Sequence, residues 1–154
     1  SIRNGLLEIE KTASADDIVL IHDGVRPIID EELISRNIAS VKQYGSAISS
    51  SDAIETFCLA EPFGRINTIL PRTQCIVAKA PQSFRVFDIL KCHRQAMKEG
   101  KIDFIDSADL MKSYGHELHY VPCTTNNIKI TTSIDYYIFK GILNAQESMQ
   151  VMGM

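Results

Sequence analysis

The chain has 154 residues, 45% hydrophobic and 23% charged, enough apolar material for one domain with its own core. Its net charge of -3 argues against a nucleic-acid binder held by bulk charge, no apolar run approaches membrane-spanning length, and no secretory signal is visible. Cys58, Cys75, Cys92 and Cys123 are scattered without a C-x-x-C pair, which disfavours a zinc ribbon or a disulfide framework. They read as reduced, mostly packing residues of a cytoplasmic protein.

In chain order, Ile2, Leu6 and Ile9 lie at helical spacing, so a helix is expected over Ser1 to Lys11, with a loop to Asp16. Ile18 to Ile21 is a short β-branched run and reads as a central strand buried on both faces. It stops at His22-Asp23-Gly24, so a carboxylate stands where the strand leaves the sheet, the edge where open α/β sheets bind ligands. Gly24 permits close approach of a ligand to the backbone, and Pro27 biases Arg26 to an extended conformation. A carboxylate and a guanidinium flanking one turn suit a divalent cation with phosphate. The same pattern is also an ordinary turn beside a surface ion pair.

Asp30 is placed as an N-cap, with Glu31 and Glu32 in the first turn, Ile34, Ile38 and Val41 as the apolar stripe, and Gly45 as the stop. A strand over Ser46–Ser50 completes a strand-helix-strand unit of a parallel sheet. Ala53–Leu59 and Arg65–Leu70 flank Glu61-Pro62-Phe63-Gly64 and predict a hairpin, an arm over about residues 52–73. A two-stranded ribbon is marginally stable alone, and a second copy of the chain is its simplest partner.

Cys75–Ala80 reads as a strand, and Pro81-Gln82-Ser83-Phe84 as the entry to a helix carrying Val86, Phe87, Leu90 and Met97, closed at Gly100. Asp106 caps a short helix over Ser107–Tyr114. Glu117–Val121 and Asn127–Thr131 read as strands. In the first, His116 and His119 point to opposite faces, which disfavours a shared metal. Thr132 and Asp135 form a capping box for a closing helix with Ile134, Ile138 and Ile142, and a frayed tail is expected from Glu147.

Asp23, Arg26, Arg72 and Lys129 are one acid and three bases beside strand ends or loops. Lys129, Arg72 and the arm residue Thr56 each have an ordinary surface reading too. As a set, the four charged residues suit a phosphorylated substrate with a metal ion, since phosphoryl and nucleotidyl transfer need positioning and charge neutralisation.

The motifs, in order, resemble one family. Ser1-Ile2-Arg3-Asn4-Gly5-Leu6 looks like S-V-x-N-G-L, and His22-Asp23-Gly24-Val25-Arg26-Pro27 like H-D-x-x-R-P. Ile54-Glu55-Thr56, Ala80-Pro81-Gln82-Ser83-Phe84 and Asn127-Ile128-Lys129-Ile130-Thr131-Thr132 resemble its D-T, T-P-Q-x-F and N-I-K-[IV]-T segments. The family is that of the cytidylyltransferases acting on methylerythritol phosphate and ribitol phosphate.

The resemblance implies a Rossmann-like α/β sheet of the nucleotide-diphosphosugar transferases, N-terminally truncated, with a protruding hairpin arm. It implies CTP and a polyol phosphate as substrates, a CDP-polyol and pyrophosphate as products, and Mg²⁺ held by Asp23. Ser1 and Gly24 would contact the cytidine nucleotide. Thr56 and Arg72, from the arm of the other subunit of a homodimer, would hold the polyol phosphate, and Lys129 would position it for in-line attack. Arg26 would belong to the same phosphate site.

Ala80 stands where the family usually has Thr, and Ile105 where a substrate-contacting Thr is common. These departures, with Ile130-Thr131-Thr132 and Ser83-Phe84-Arg85, lean towards ribitol phosphate. The family's first strand and glycine-rich loop are expected to precede Ser1, so this span resembles the C-terminal two-thirds of such an enzyme and is expected to have little activity alone. The competing reading is a non-catalytic fragment that dimerises through the arm. A metal-dependent glycosyltransferase would need a D-x-D motif, which the sequence lacks.

Overall fold

The computed structural model describes residues 2–152, with side chains through Ser148. In chain order the elements are α1 (Ile2–Glu10), β1 (Ile18–Ile21), α2 (Glu31–Tyr44), β2 (Ser46–Asp52), β3 (Cys58–Ala60), β4 (Ile66–Ile69), β5 (Ile76–Arg85), α3 (Val86–Lys98), α4 (Ser107–Ser113), β6 (Tyr120–Pro122) and α5 (Ser133–Met152). Four strands form a mixed sheet in the order β1-β5-β2-β6, while β3 and β4 form a separate two-stranded sheet. β5 runs antiparallel to β1 and β2, and β6 runs parallel to β2. β1-α2-β2 is thus a parallel crossover with one antiparallel strand inserted between its two strands.

The sheet separates two apolar layers, because successive strand residues face opposite sides. Ala47 joins Leu33, Val41 and Val121 beneath α2. Its neighbour Ile48 joins Leu6, Phe84, Val86, Ile89, Leu90, Leu110 and Met111, beneath α1, α3 and α4. The α2 side also carries a buried polar knot. Asn37 donates to the Leu33 carbonyl (2.9 Å) and to Ser49 Oγ (3.1 Å), and accepts from Ser83 Oγ (3.0 Å).

Local capping chemistry forms as the residue types dictate. Asp30 Oδ1 accepts from Leu33 N at 2.7 Å, and Asp106 Oδ1 from Asp109 N at 2.9 Å. Gly45 closes α2 with φ 84°, a left-handed conformation that favours glycine. At α5, Asp135 Oδ2 accepts from the backbone of Thr131 and Thr132, and Thr132 Oγ1 accepts from Asp135 N. Those backbone donors hold the Asp135 carboxyl down at about 2.

Six expectations are corrected. Among the described residues β1 is an edge strand rather than a central one: it pairs with β5 alone, and all four of its residues are half-buried rather than buried on both faces. Pro81 to Phe84 do not lead into a helix: β5 continues through them, because Gln82, Ser83 and Phe84 pair with both β1 and β2. The register against β2 jumps between Ile48 and Ser50, which accommodates a proline that has no N–H for the ladder. The strand expected over Glu117–Val121 shortens to β6, leaving His116 and His119 outside it, with His119 stacked on Tyr44. Asn127–Thr131 is not a strand. It is an irregular segment tied by one ladder-like bond, Ile130 N to the Val25 carbonyl at 2.9 Å. The expected fraying from Glu147 is replaced by helix through Met152, and Gly153 and Met154 lie outside the described residues. Of the cysteines, Cys92 is buried in the core and Cys123 packs partly buried against the α2 layer, while Cys58 is exposed on the arm.

Candidate active site

β1 ends at Ile21, and the chain turns through Asp23-Gly24-Val25, closed by Arg26 N donating to the Asp23 carbonyl at 3.0 Å. Arg26 Nε donates to Asp23 Oδ2 at 3.0 Å, and Lys129 Nζ lies 3.4 Å from the same oxygen. Acid and lysine, more than a hundred positions apart in sequence, thus meet in one cleft of about 310 Å³. Its lining includes Asp23, Arg26, Lys79, Ala80, Ile105 and Lys129. Burial pushes the Asp23 carboxyl up, but the Arg26 hydrogen bond and the Lys129 charge outweigh it and hold the group below its usual range.

Arg26 is more enclosed than Asp23 or Lys129, with its side chain 11% exposed. Its Nη1 donates to the Asn127 carbonyl at 2.8 Å. Asn127 is itself buried and donates through Nδ2 to the Ala80 carbonyl at 2.7 Å. That junction ties the Asp23 turn, β5 and the segment bearing Lys129 to one another. Arg26 therefore spends its fork on Asp23 and the backbone, a role that orients the acid.

Of the other expected site residues, Gly24 adjoins the cleft, and no atom stands within 4 Å of where a Cβ would be, so the space beside it is open. Arg72 and Thr56 lie on the arm, exposed, with Arg72 Nη1 3.4 Å from the Ile54 carbonyl. Neither lines this cleft within the same chain. Ser1 lies outside the described residues, although its neighbour Ile2 lines the cleft.

Lys79 is the cleft residue that sequence reading missed. It sits in β5 where the register jumps, with Nζ 3.1 Å from the Asn127 carbonyl and 3.3 Å from that of Thr125. Burial lowers its pKa, the nearby Cys123 partly offsets this, and the Arg26 charge lowers it further. A lysine flanked by two alanines just before a proline in a strand was the available signal.

Asp23 is the carboxylate in contact with Arg26 and Lys129, and both bonds reach its Oδ2. Among the described residues no group of three His, Cys, Asp or Glu side chains could enclose a metal alone. A cation here would need phosphate oxygens as further ligands, the usual mode for Mg²⁺ beside one or two carboxylates.

Comparison with known proteins shows the family. The profile of the 2-C-methyl-D-erythritol 4-phosphate cytidylyltransferase family matches residues 1–145. A ribitol-5-phosphate cytidylyltransferase of Vibrio parahaemolyticus is 47% identical over 153 residues, which cover 99% of this chain and 64% of that protein. A 2-C-methyl-D-erythritol 4-phosphate cytidylyltransferase of Syntrophus aciditrophicus is 34% identical over 148 residues, 96% of this chain and 61% of that one. The crystal structure of a 4-diphosphocytidyl-2C-methyl-D-erythritol synthase from Anaerococcus prevotii superposes with a TM-score of 0.83 at 23% identity, covering 94% of this chain and 63% of its own, and so shares the fold. The chain thus spans a little under two-thirds of the length of these relatives. With the profile matched across 145 residues, the chain belongs to the 2-C-methyl-D-erythritol 4-phosphate cytidylyltransferase family.

Proposed function

We propose that this chain carries the acid-and-base half of a cytidylyltransferase site that joins CTP and a polyol phosphate into a CDP-polyol and pyrophosphate. The observation that carries the reading is the contact between Asp23 and Lys129 in a cleft lined by further cations. A phosphate nucleophile attacking an α-phosphorus needs charge neutralisation and alignment above all. Lys129 is a mobile point charge suited to hold the attacking phosphate, and Arg26 keeps Asp23 ionised and oriented. Mg²⁺ held by Asp23 and the nucleotide phosphates would supply neutralisation of the leaving pyrophosphate. Gly24 and Ser1 serve the nucleotide in this reading.

Ribitol 5-phosphate is the proposed acceptor. The 47% identity to a ribitol-5-phosphate enzyme against 34% to a methylerythritol enzyme supports it. So do Ala80 and Ile105, two apolar residues on the cleft wall. Thr56 and Arg72 are proposed to reach the site from the arm of a second copy, since the arm strands are exposed at every residue. As a CTP-using biosynthetic enzyme it is proposed to act in the cytoplasm.

Titration of the chain with CTP and Mg²⁺, followed by ribitol 5-phosphate or methylerythritol phosphate, tests the reading. Binding that is lost in D23N and K129M, with ribitol 5-phosphate preferred, is expected. Unaltered binding in both variants would remove the assignment. Turnover by this span alone is expected to be slow, and rapid pyrophosphate release would overturn that expectation.

A further inference from the structure

Lys79 combines three features that a structural staple does not need together. It sits where β5 slips register against β2, a feature that re-aims side chains and is common beside active sites. It lines the same cleft as Asp23, Arg26 and Lys129. Its contacts are two backbone carbonyls, of Thr125 and Asn127, and an ammonium has three protons to donate. A neutral amide donor could have held those carbonyls equally well.

The surrounding charges leave Lys79 without a counter-ion. Asp23 is engaged by Arg26 and Lys129 through one oxygen. Asp106, the other acid on the cleft wall, accepts from Gln82 Nε2 at 2.7 Å and caps α4. Burial pushes the neighbouring Cys123 thiol up, which disfavours its charged form. Among the described residues no carboxylate oxygen lies within ion-pair distance of Lys79 Nζ. Arg26, a like charge, shares the Asn127 carbonyl with it. A half-buried ammonium facing only neutral dipoles and another cation is costly unless a ligand brings the negative charge.

We propose that Lys79 is a second anion-binding lysine of this cleft, donating to a phosphoryl oxygen of the bound ligand beside Lys129. The proposal rests on the nucleotidyl-transfer reading of the cleft and adds a ligand-contacting residue to it. A phosphoryl group bridging Lys79 and Lys129 would touch two separate chain segments, β5 and the loop before α5. The ligand itself would then fix their spacing.

The test is lysine ¹⁵N NMR of the whole chain titrated with inorganic pyrophosphate. In the free chain the Lys79 Nζ is expected to titrate below an ordinary lysine. Pyrophosphate is expected to shift that signal and raise its pKa. K79Q is expected to weaken pyrophosphate binding about tenfold, as loss of one charge-assisted bond would, and K79R to keep most of it. Protection of the Ile130 amide should be unchanged in K79R, which separates ligand contact from loop stapling. If K79Q binds pyrophosphate as tightly as the unaltered chain while K129M does not, the Lys79 role is overturned and the cleft reading stands. A Lys79 signal unmoved at saturating pyrophosphate overturns it too, independently of how any variant folds. Absence of pyrophosphate binding by the unaltered chain overturns both.

Discussion

Asp23 carries the electrostatic logic of the cleft in one carboxyl group. Two cations contact a single oxygen, and together they outweigh the burial that would otherwise raise its pKa. Its folded pKa lies below that of the unfolded chain, about 3.9. The stabilisation from this arrangement is therefore present above that value and is lost as pH falls through the lower, folded one. Removing Lys129 as K129M is expected to raise the Asp23 pKa towards its ordinary value, measurable by carboxyl ¹³C NMR titration. An unchanged Asp23 titration would mean that the 3.4 Å contact does not persist in solution. Ala80 and Ile105 bear on selectivity at the same scale. A80T combined with I105T places hydroxyls on the cleft wall and is expected to shift binding from ribitol 5-phosphate towards methylerythritol phosphate. Competition between the two ligands checks this, and an unmoved ratio would place selectivity elsewhere.

At the scale of elements, two buried asparagines tie separate segments together. Asn37 links α2 to β2 and β5 through Ser49 and Ser83. N37A would leave both hydroxyls without that partner in a buried layer, at a cost of about 2–3 kcal/mol in urea unfolding. Asn127 links the β1 turn, β5 and the Lys129 segment, through Arg26, Lys79 and Ala80. N127A is expected to cost about 1–3 kcal/mol for the lost buried hydrogen bond and to loosen the Lys129 segment. Faster amide exchange at Ile130 would report the loosening. If exchange there does not change, the bond to the Val25 carbonyl is sufficient to hold the segment. The register shift in β5 belongs to the same scale. It lets a proline interrupt one ladder while the strand beyond it pairs on both sides.

At the scale of the whole molecule, apolar surface is distributed unevenly. The sheet and its flanking helices bury Phe84, Ile89, Leu90 and Leu110, whereas Leu59, Ile66 and Ile69 on the arm are each at least half exposed. α5 likewise presents Ile134, Tyr136, Tyr137 and Ile138 to solvent, so of the stripe expected to pack only Ile142 is half-buried. Exposed apolar clusters of this kind mark interaction surfaces. The arm is proposed as the contact of a homodimer, and I66D combined with I69D is expected to convert a dimer into a monomer by light scattering. An unaltered chain that is already monomeric would remove the arm from that role, and with it the proposed supply of Thr56 and Arg72 in trans.

The sequence alone determined the features set by short-range rules. Helix periodicity located α1 to α3, residue chemistry located the caps at Asp30 and Asp106 and the Thr132–Asp135 box, and a Pro-Gly turn between β-rich runs located the arm. Ordered motifs also located the Asp23 turn and Lys129. The tertiary structure decided what depends on distant partners. Pairing on both sides carried β5 past Pro81, and among the described residues β1 lies at an edge, bonded to β5. One buried asparagine drew Arg26, Lys79 and the Lys129 segment around a single carbonyl. Spacing along a chain sets which residues share a face within one element; which elements meet is fixed by long-range pairing and burial, which no local window contains.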